Sequence, residues 1–188
     1  MTIYEDEIFN NNNYAEQEIT QTEFDHCTFV NCDFSNGKLA GCKLISCSFT
    51  NCNLSMTKLT GCQMNDITFT DCKLLGVNFS ECVDFLFIVQ FERCVLDYAS
   101  FVKKKMVKTL FSGSSLRSVD LTECDLTKSK FIDTDLLNAQ FHHTTLKEAD
   151  LLTATGYSID PETNNIRKAK FSLHSVSGLL HKYDIIIE

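Results

Sequence analysis

A period of five governs this chain. Cys27, Cys32, Cys42, Cys47, Cys52, Cys62, Cys72 and Cys82 are separated by multiples of five residues. Two residues after each of the first seven comes a large apolar residue: Phe29, Phe34, Leu44, Phe49, Leu54, Met64 and Leu74. Taken as centres of a five-residue unit, these belong to a longer track. It runs from Ile19 and Phe24 to Phe79, slips by two residues, and resumes at Leu86, Phe91 and Leu96 to end at Leu151. All 27 centres are apolar in a chain that is 44 % apolar, which by chance has odds on the order of 10⁻¹⁰. A helix repeats every 3.6 residues and a strand every two, so neither produces this pattern.

A unit that turns one large and one small residue inward must bend the chain every five residues. Four bends close a square coil of twenty, and stacked coils pair as parallel strands ~4.8 Å apart. A second period of twenty supports this: Phe29, Phe49, Phe69, Phe91, Phe111 and Phe131 form one column, and Phe34, Leu54, Leu74, Leu96, Leu116 and Leu136 the next. The columns stay homogeneous only if two residues are inserted near Val83 and Asp84. The pattern predicts an all-β square solenoid of about seven coils over residues 16–153, with a break near 82–86; it leaves the handedness open. The ten cysteines fill the small inward slot, where a compact, readily buried side chain fits.

The ends read differently. Residues 1–15 are expected to be a tail or loose cap. Thr155 to Glu162 carry turn residues, including the one proline, and Ile166 and Phe171 return to the track as a last partial coil within 154–171. In 172–188, Leu173, Val176, Leu179, Leu180 and Tyr183 recur at helical spacing after Ser172, which predicts a short capping helix. The apolar strand Ile185-Ile186-Ile187 at an open edge would invite a second copy, so this end is expected to carry a homodimer contact.

Units such as Cys32-Asp33-Phe34-Ser35-Asn36, Cys52-Asn53-Leu54-Ser55-Met56, Cys124-Asp125-Leu126-Thr127-Lys128 and Ala149-Asp150-Leu151-Leu152-Thr153 resemble the pentapeptide-repeat family, whose unit reads A-[DN]-L-x-x. The resemblance implies a right-handed quadrilateral β-helix. In size, mid-chain break and the ending from Ala169-Lys170-Phe171-Ser172 to Ile185-Ile186-Ile187, the chain further resembles the Qnr-type quinolone-resistance proteins. That implies a cytosolic dimer that mimics DNA and binds a type II topoisomerase, chiefly DNA gyrase. Projecting loops contribute to partner binding in those relatives. Here the insertion is only two residues, and residues 86–151 carry no long loop.

The inward slot is interrupted at Gln17, Ile67, Asp84 and Lys104. Gln17 fits a capping coil, and Ile67 is merely large. Asp84 and Lys104 are twenty residues apart and so stack on one face. A lone buried charge is prohibitive, so either the two form an ion pair or the backbone bulges outward at both places, the reading favoured here. Val83, Asp84, Phe85 and Lys104 thereby mark a candidate interaction face.

Chemistry is sparse. No zinc spacing, phosphate loop or nucleophile motif joins the five histidines and ten cysteines, so neither an enzyme nor a metal or other cofactor is expected. No apolar run approaches the ~18 residues of a membrane span, and the acidic start Glu5-Asp6-Glu7 is unlike a secretion signal; a cytoplasmic location with reduced thiols is expected. A net charge of −8 argues against direct binding to nucleic acid. A seven-coil rod ~33 Å long would match B-DNA bearing about 19 charges, so mimicry would be partial. The candidate patch is Asp120, Glu123, Asp125, Asp133, Asp135, Glu148 and Asp150. The alternative is a structural or regulatory scaffold with an unrelated partner. A continuous acidic face favours mimicry, and scattered charge or an apolar patch favours a scaffold.

Overall fold

In the computed structural model, which describes residues 1–186, the chain winds as a right-handed parallel β-helix with four flat faces. The centres of face 1 are Tyr4, Phe24, Leu44, Met64, Phe87, Met106, Leu126, Leu146 and Ile166. Its strands Thr2–Glu5, Thr22–Asp25, Lys43–Ile45 and Gln63–Asn65 pair in parallel. Face 2 is a nine-stranded sheet running from Ile8–Asn10 to Lys170–Phe171. Face 3 is held by bridges from Asn13–Asp33 to Asp135–Thr155. Face 4 joins Glu18–Thr20 to Lys38–Ala40 and continues by bridges to Asp120–Gln140.

Partners are twenty residues apart on every rung except across the insertion, where Phe69 pairs with Phe91. The columns therefore pass through the insertion unchanged. Nine rungs on face 2 exceed the expected seven coils by one at each end: residues 1–15 are not a tail, since Ile3 pairs with Glu23 and Phe9 with Phe29, and Leu151 pairs with Phe171 in the last partial coil. Tyr4, Phe9 and Tyr14 extend the five-residue track. Glu7, Asn12 and Gln17 stand in its inward slot at the open end, where water still reaches them.

The bore is filled by stacked centres. On face 2, Phe29–Phe49, Phe49–Phe69 and Phe111–Phe131 have ring centroids 4.6, 5.0 and 5.0 Å apart with near-parallel planes. Each such pair adds ~0.5–1.5 kcal/mol beyond its buried area. The inward slot has a second requirement besides small size. Its side chain donates to the carbonyl 23 residues earlier: Cys52 Sγ to Phe29 O at 3.4 Å, Cys72 Sγ to Phe49 O at 3.4 Å, Thr57 Oγ1 to Phe34 O at 2.8 Å and Ser129 Oγ to Met106 O at 2.7 Å. All ten cysteines are buried, unbridged thiols. Cysteine is a weak donor that packs as a hydrophobe, and this slot asks for both properties.

Away from the insertion, the bends are made at the residue two after a centre, which adopts a left-handed backbone: Asn31 at φ 52°, Asn51 at 53°, Asp66 at 59° and Lys108 at 64°. Its amide bonds across to the next rung, as Asn31 N does to Thr50 O at 3.0 Å. Asn, Asp, Gly, Lys and Glu dominate these corners because β-branched residues fit φ > 0 poorly. Thr153, at the same position, is absent from the left-handed set; its hydroxyl accepts from Asp133 N at 2.8 Å.

Two expectations need correcting. The centre after the slip is Phe87, not Leu86: Phe87 is 5 % exposed and Leu86 45 %. The chain leaves the wall after Cys82, passes outside through Val83 to Leu86, and re-enters where the Phe87 ring meets Phe79. The C-terminal helix is not an α-helix but two 3-10 turns, Val176–Leu179 and His181–Tyr183, laid across the open end. Gly178 lies so close to Tyr157 that a Cβ would meet its carbonyl oxygen at 2.4 Å. Ile159 N bonds to Gly178 O at 2.9 Å, and Lys182 Nζ reaches Asp160 and Glu162 at 2.8 and 2.6 Å. These tertiary ties fit a segment pinned turn by turn, in the short pieces typical of 3-10 geometry. Ile185 and Ile186 are exposed and form no strand; Ile187 lies outside the described residues.

Candidate functional site

With thiols and centres directed inward, what the rod offers is its exterior. Residues adjacent to a centre point outward and the corner residues project furthest, so column arithmetic assigns each charge to a face. The seven candidate acids do not converge. Asp125 is on face 1 and Glu148 at its corner with face 2; Asp150 is on face 2 and Asp133 at the next corner; Asp135 is on face 3, Asp120 on face 4, and Glu123 at the corner back to face 1.

Most of them already have local work. Asp120 and Asp125 each accept from the amide two residues on, Thr122 N and Thr127 N, at 3.0 Å. Asp135 takes Arg117 Nε at 2.6 Å, Glu148 lies 3.6 Å from Lys128 Nζ, Glu123 is 3.8 Å from Lys103 Nζ, and Asp150 is 3.4 Å from Lys170 Nζ. Further up, Asp71 is held bidentately by Arg93 at 2.7 and 2.9 Å, which keeps its carboxyl below the usual range.

The net charge is unevenly placed. Residues 1–100 carry 14 acids and 5 cations, a net −9; residues 101–188 carry 11 and 12, a net +1. The candidate patch thus falls in the half without excess acid. By face, 12 acids and 8 cations lie on faces 2 to 4. Face 1 is balanced overall but segregated. Glu5, Asp6, Glu23, Asp25 and Asp66 occupy its first four rungs with only Lys43 against them. Lys105, Lys108, Lys128, Lys147, Arg167 and Lys168 occupy its last four, with Asp125 and Glu148. This polarity is readable from sequence once the charges are sorted by column, and a search for acids alone misses it.

Between the two halves of face 1 stands the bulge. Val83, Phe85, Leu86 and Ile88 are 39, 68, 45 and 43 % exposed. Beside them runs a shallow groove of about 280 Å³ lined by Asp84, Leu86, Phe87, Ile88, Lys105, Val107 and Thr109. Asp84 lies outside, with its side chain 85 % exposed, whereas Lys104 is inside at 1 %. The backbone therefore bulges at Asp84 and stays in register at Lys104. The lysine fills the inward slot, and its Nζ bonds to Cys82 O and Asp84 Oδ1, 5.3 Å from the Phe87 ring centroid. At the C-terminal end Leu173 is 91 % and Ile186 89 % exposed, while Leu179 packs on the core and Tyr183 donates to Glu162.

Among the described residues no three His, Cys, Asp or Glu side chains are placed to hold a metal ion. Burial pushes the Cys47 thiol up to about 11 and those of Cys82 and Cys124 to about 12, which keeps them protonated.

Residues 4–79 and 22–101 match the family model for a pentapeptide repeat region, and residues 114–151 the one for pentapeptide repeats in eight copies. No curated protein matches the sequence. Among solved structures, the chain is similar to trypsin-treated QnrB1, a plasmid-mediated fluoroquinolone resistance protein, at 15 % identity and a TM-score of 0.70, covering 100 % of this chain and 99 % of that one. It is also similar to full-length QnrB1, at 17 % identity and a TM-score of 0.58, covering 97 % and 100 %. At these identities the likeness is one of fold. The five-residue unit, the four-faced coil and the family models together make the chain a member of the pentapeptide-repeat family.

Proposed function

We propose that this chain is a non-enzymatic, protein-binding rod that stands in for duplex DNA on a type II topoisomerase such as DNA gyrase. The observation that carries the reading is a stiff helix whose faces 2 to 4 hold 12 acids against 8 cations. Nine rungs span roughly 40 Å, where B-DNA would present about 22 charges. The mimic is sparse, and its affinity rests on where the acids lie. The whole-length likeness to a fluoroquinolone resistance protein supports the choice of partner.

A supercoiling assay with and without a quinolone tests it, alongside binding at increasing salt. Asp120→Asn, Asp133→Asn and Asp135→Asn together remove charge from faces 2 to 4 while keeping side-chain acceptors. They should weaken binding about tenfold and flatten its salt dependence, whereas Asp125→Asn on face 1 should leave both unchanged. Salt-independent binding would rule out mimicry. The second reading is a scaffold for a different protein, favoured by the acids already tied up in ion pairs and by the apolar bulge; it predicts no effect on supercoiling.

A further inference from the structure

Face 1 has the charge pattern of a surface built to meet itself, and we propose that two copies of the chain pair antiparallel through it, with the bulge on the two-fold axis. The bulge rung is the fifth of nine, so a two-fold axis along its strand direction carries each rung onto the one equally far on the other side. It also leaves each lateral track opposite itself. Along the corner track this sets Asp6 against Lys168 and Asp66 against Lys108. On the track after the centre, Glu5 meets Arg167 and Asp25 meets Lys147. On the track before the centre, the sign is reversed in both partners: Lys43, the one cation of the acidic half, meets Asp125. No like charges face each other in any track.

Three further observations bear on the occupant. Some charges pair within the chain, as Asp71 does with Arg93 and Asp135 with Arg117 on other faces, and on face 1 Lys43 with Glu23 and Lys147 with Glu148. Among the described residues Glu5, Asp6, Asp66, Lys108, Arg167 and Lys168 have no ion-pair partner. The apolar area lies at the centre of the proposed contact with charge to either side, the arrangement of a specific interface. Phe85, 68 % exposed, projects beside the Leu86–Ile88–Val107 groove, so at the axis each copy offers both a knob and a hollow. A closed isologous contact follows from this symmetry, and the balanced face is buried while the acidic faces stay outside.

Sedimentation of the full chain at low and high salt reads the association, and charge swaps read its register. Asp66→Lys places lysine opposite Lys108 twice per pair, and Lys108→Asp places aspartate opposite Asp66 twice. Each alone should weaken self-association about tenfold or more. Mixing the two variants should restore it as a heterodimer, and so should the double swap in one chain. Misfolding cannot give that rescue, and both residues already occupy left-handed corners that Asp and Lys each tolerate elsewhere, at Asp133 and Lys128. A chain that stays monomeric at low salt would overturn the proposal. So would a dimer indifferent to both swaps but lost in Leu173→Ser with Ile186→Ser, which would place the contact at the C-terminal end. Neither result bears on supercoiling, so this pairing and topoisomerase binding fail separately.

Discussion

Lys104 and Asp84 lie twenty residues apart in sequence and on opposite sides of the solenoid wall. The ammonium is inside at 1 % exposure and the carboxylate is in solvent, and the two meet at 2.5 Å across the gap that the insertion opens. Lys104 Nζ also donates to Cys82 O at 2.5 Å. A charge threaded through the wall is held by geometry more than by the strength of the pair, because its partner is solvated.

Asp84→Asn should therefore destabilise by only ~1 kcal/mol, the range of exposed pairs. Lys104→Met keeps the stem and removes the buried charge, which is often neutral or stabilising. Lys104→Ala leaves a void and should destabilise by about 2–4 kcal/mol. Urea unfolding of the three variants gives the order, and a Lys104→Met as damaging as Lys104→Ala would mean that the ammonium itself holds the bulge.

Corner chemistry gives a second expectation. Asn51 sits at φ 53° and its side chain donates to Asn31 Oδ1 at 2.6 Å. Asn51→Val forces a β-branched residue into the left-handed region and should destabilise by ~1–2 kcal/mol or more. Asn51→Gly should stay within about 1 kcal/mol of the parent. Thermal unfolding separates the two, and equal losses would assign the effect to the Asn51–Asn31 bond.

Two deeply buried thiols should make stability fall at alkaline pH. Cys82 and Cys124 are held at about 12 by burial, above the value of a thiol in the unfolded chain. Below ~8.5 both states are protonated, and stability is at its full value. As pH rises past that point the unfolded chain loses protons that the folded chain keeps, so the loss grows until about 12, where the folded thiols ionise too. Each such thiol should remove ~2 kcal/mol by pH 10. Denaturant midpoints across that window, compared with Cys82→Ser and Cys124→Ser, measure it; a parent no more pH-sensitive than the serine variants would show these thiols are not the cause.

The fold was legible because every inward position obeys one rule, and twenty-residue columns check five-residue units. Legibility stopped where that rule is relaxed by water. Tyr4, Phe9 and Tyr14 keep the period, but Glu7 and Gln17 spoil the slot, and only the open end of the rod makes that harmless. Leu86 and Phe87 are adjacent apolar residues in an insertion, and either satisfies hydrophobicity; the packing of Phe87 on Phe79 decides. The C-terminal spacing of Leu173, Val176 and Leu179 looks helical, yet Tyr157 and Lys182 fix the segment by tertiary contacts that no local pattern carries. Asp120 to Asp150 are neighbours in sequence but not in space, because five residues of this chain are a quarter turn.

Two extra residues would rotate the rest of an α-helix by about 200°. An odd insertion in a sheet strand would turn its buried face to solvent. Here the excursion between Cys82 and Phe87 leaves Phe69 over Phe91 and every later column in place. Errors of length do not propagate along such a chain. This excursion shows that a face can take in extra residues without redesigning what lies above or below. The wall is therefore permissive ground on which new contact surfaces can be tried one rung at a time.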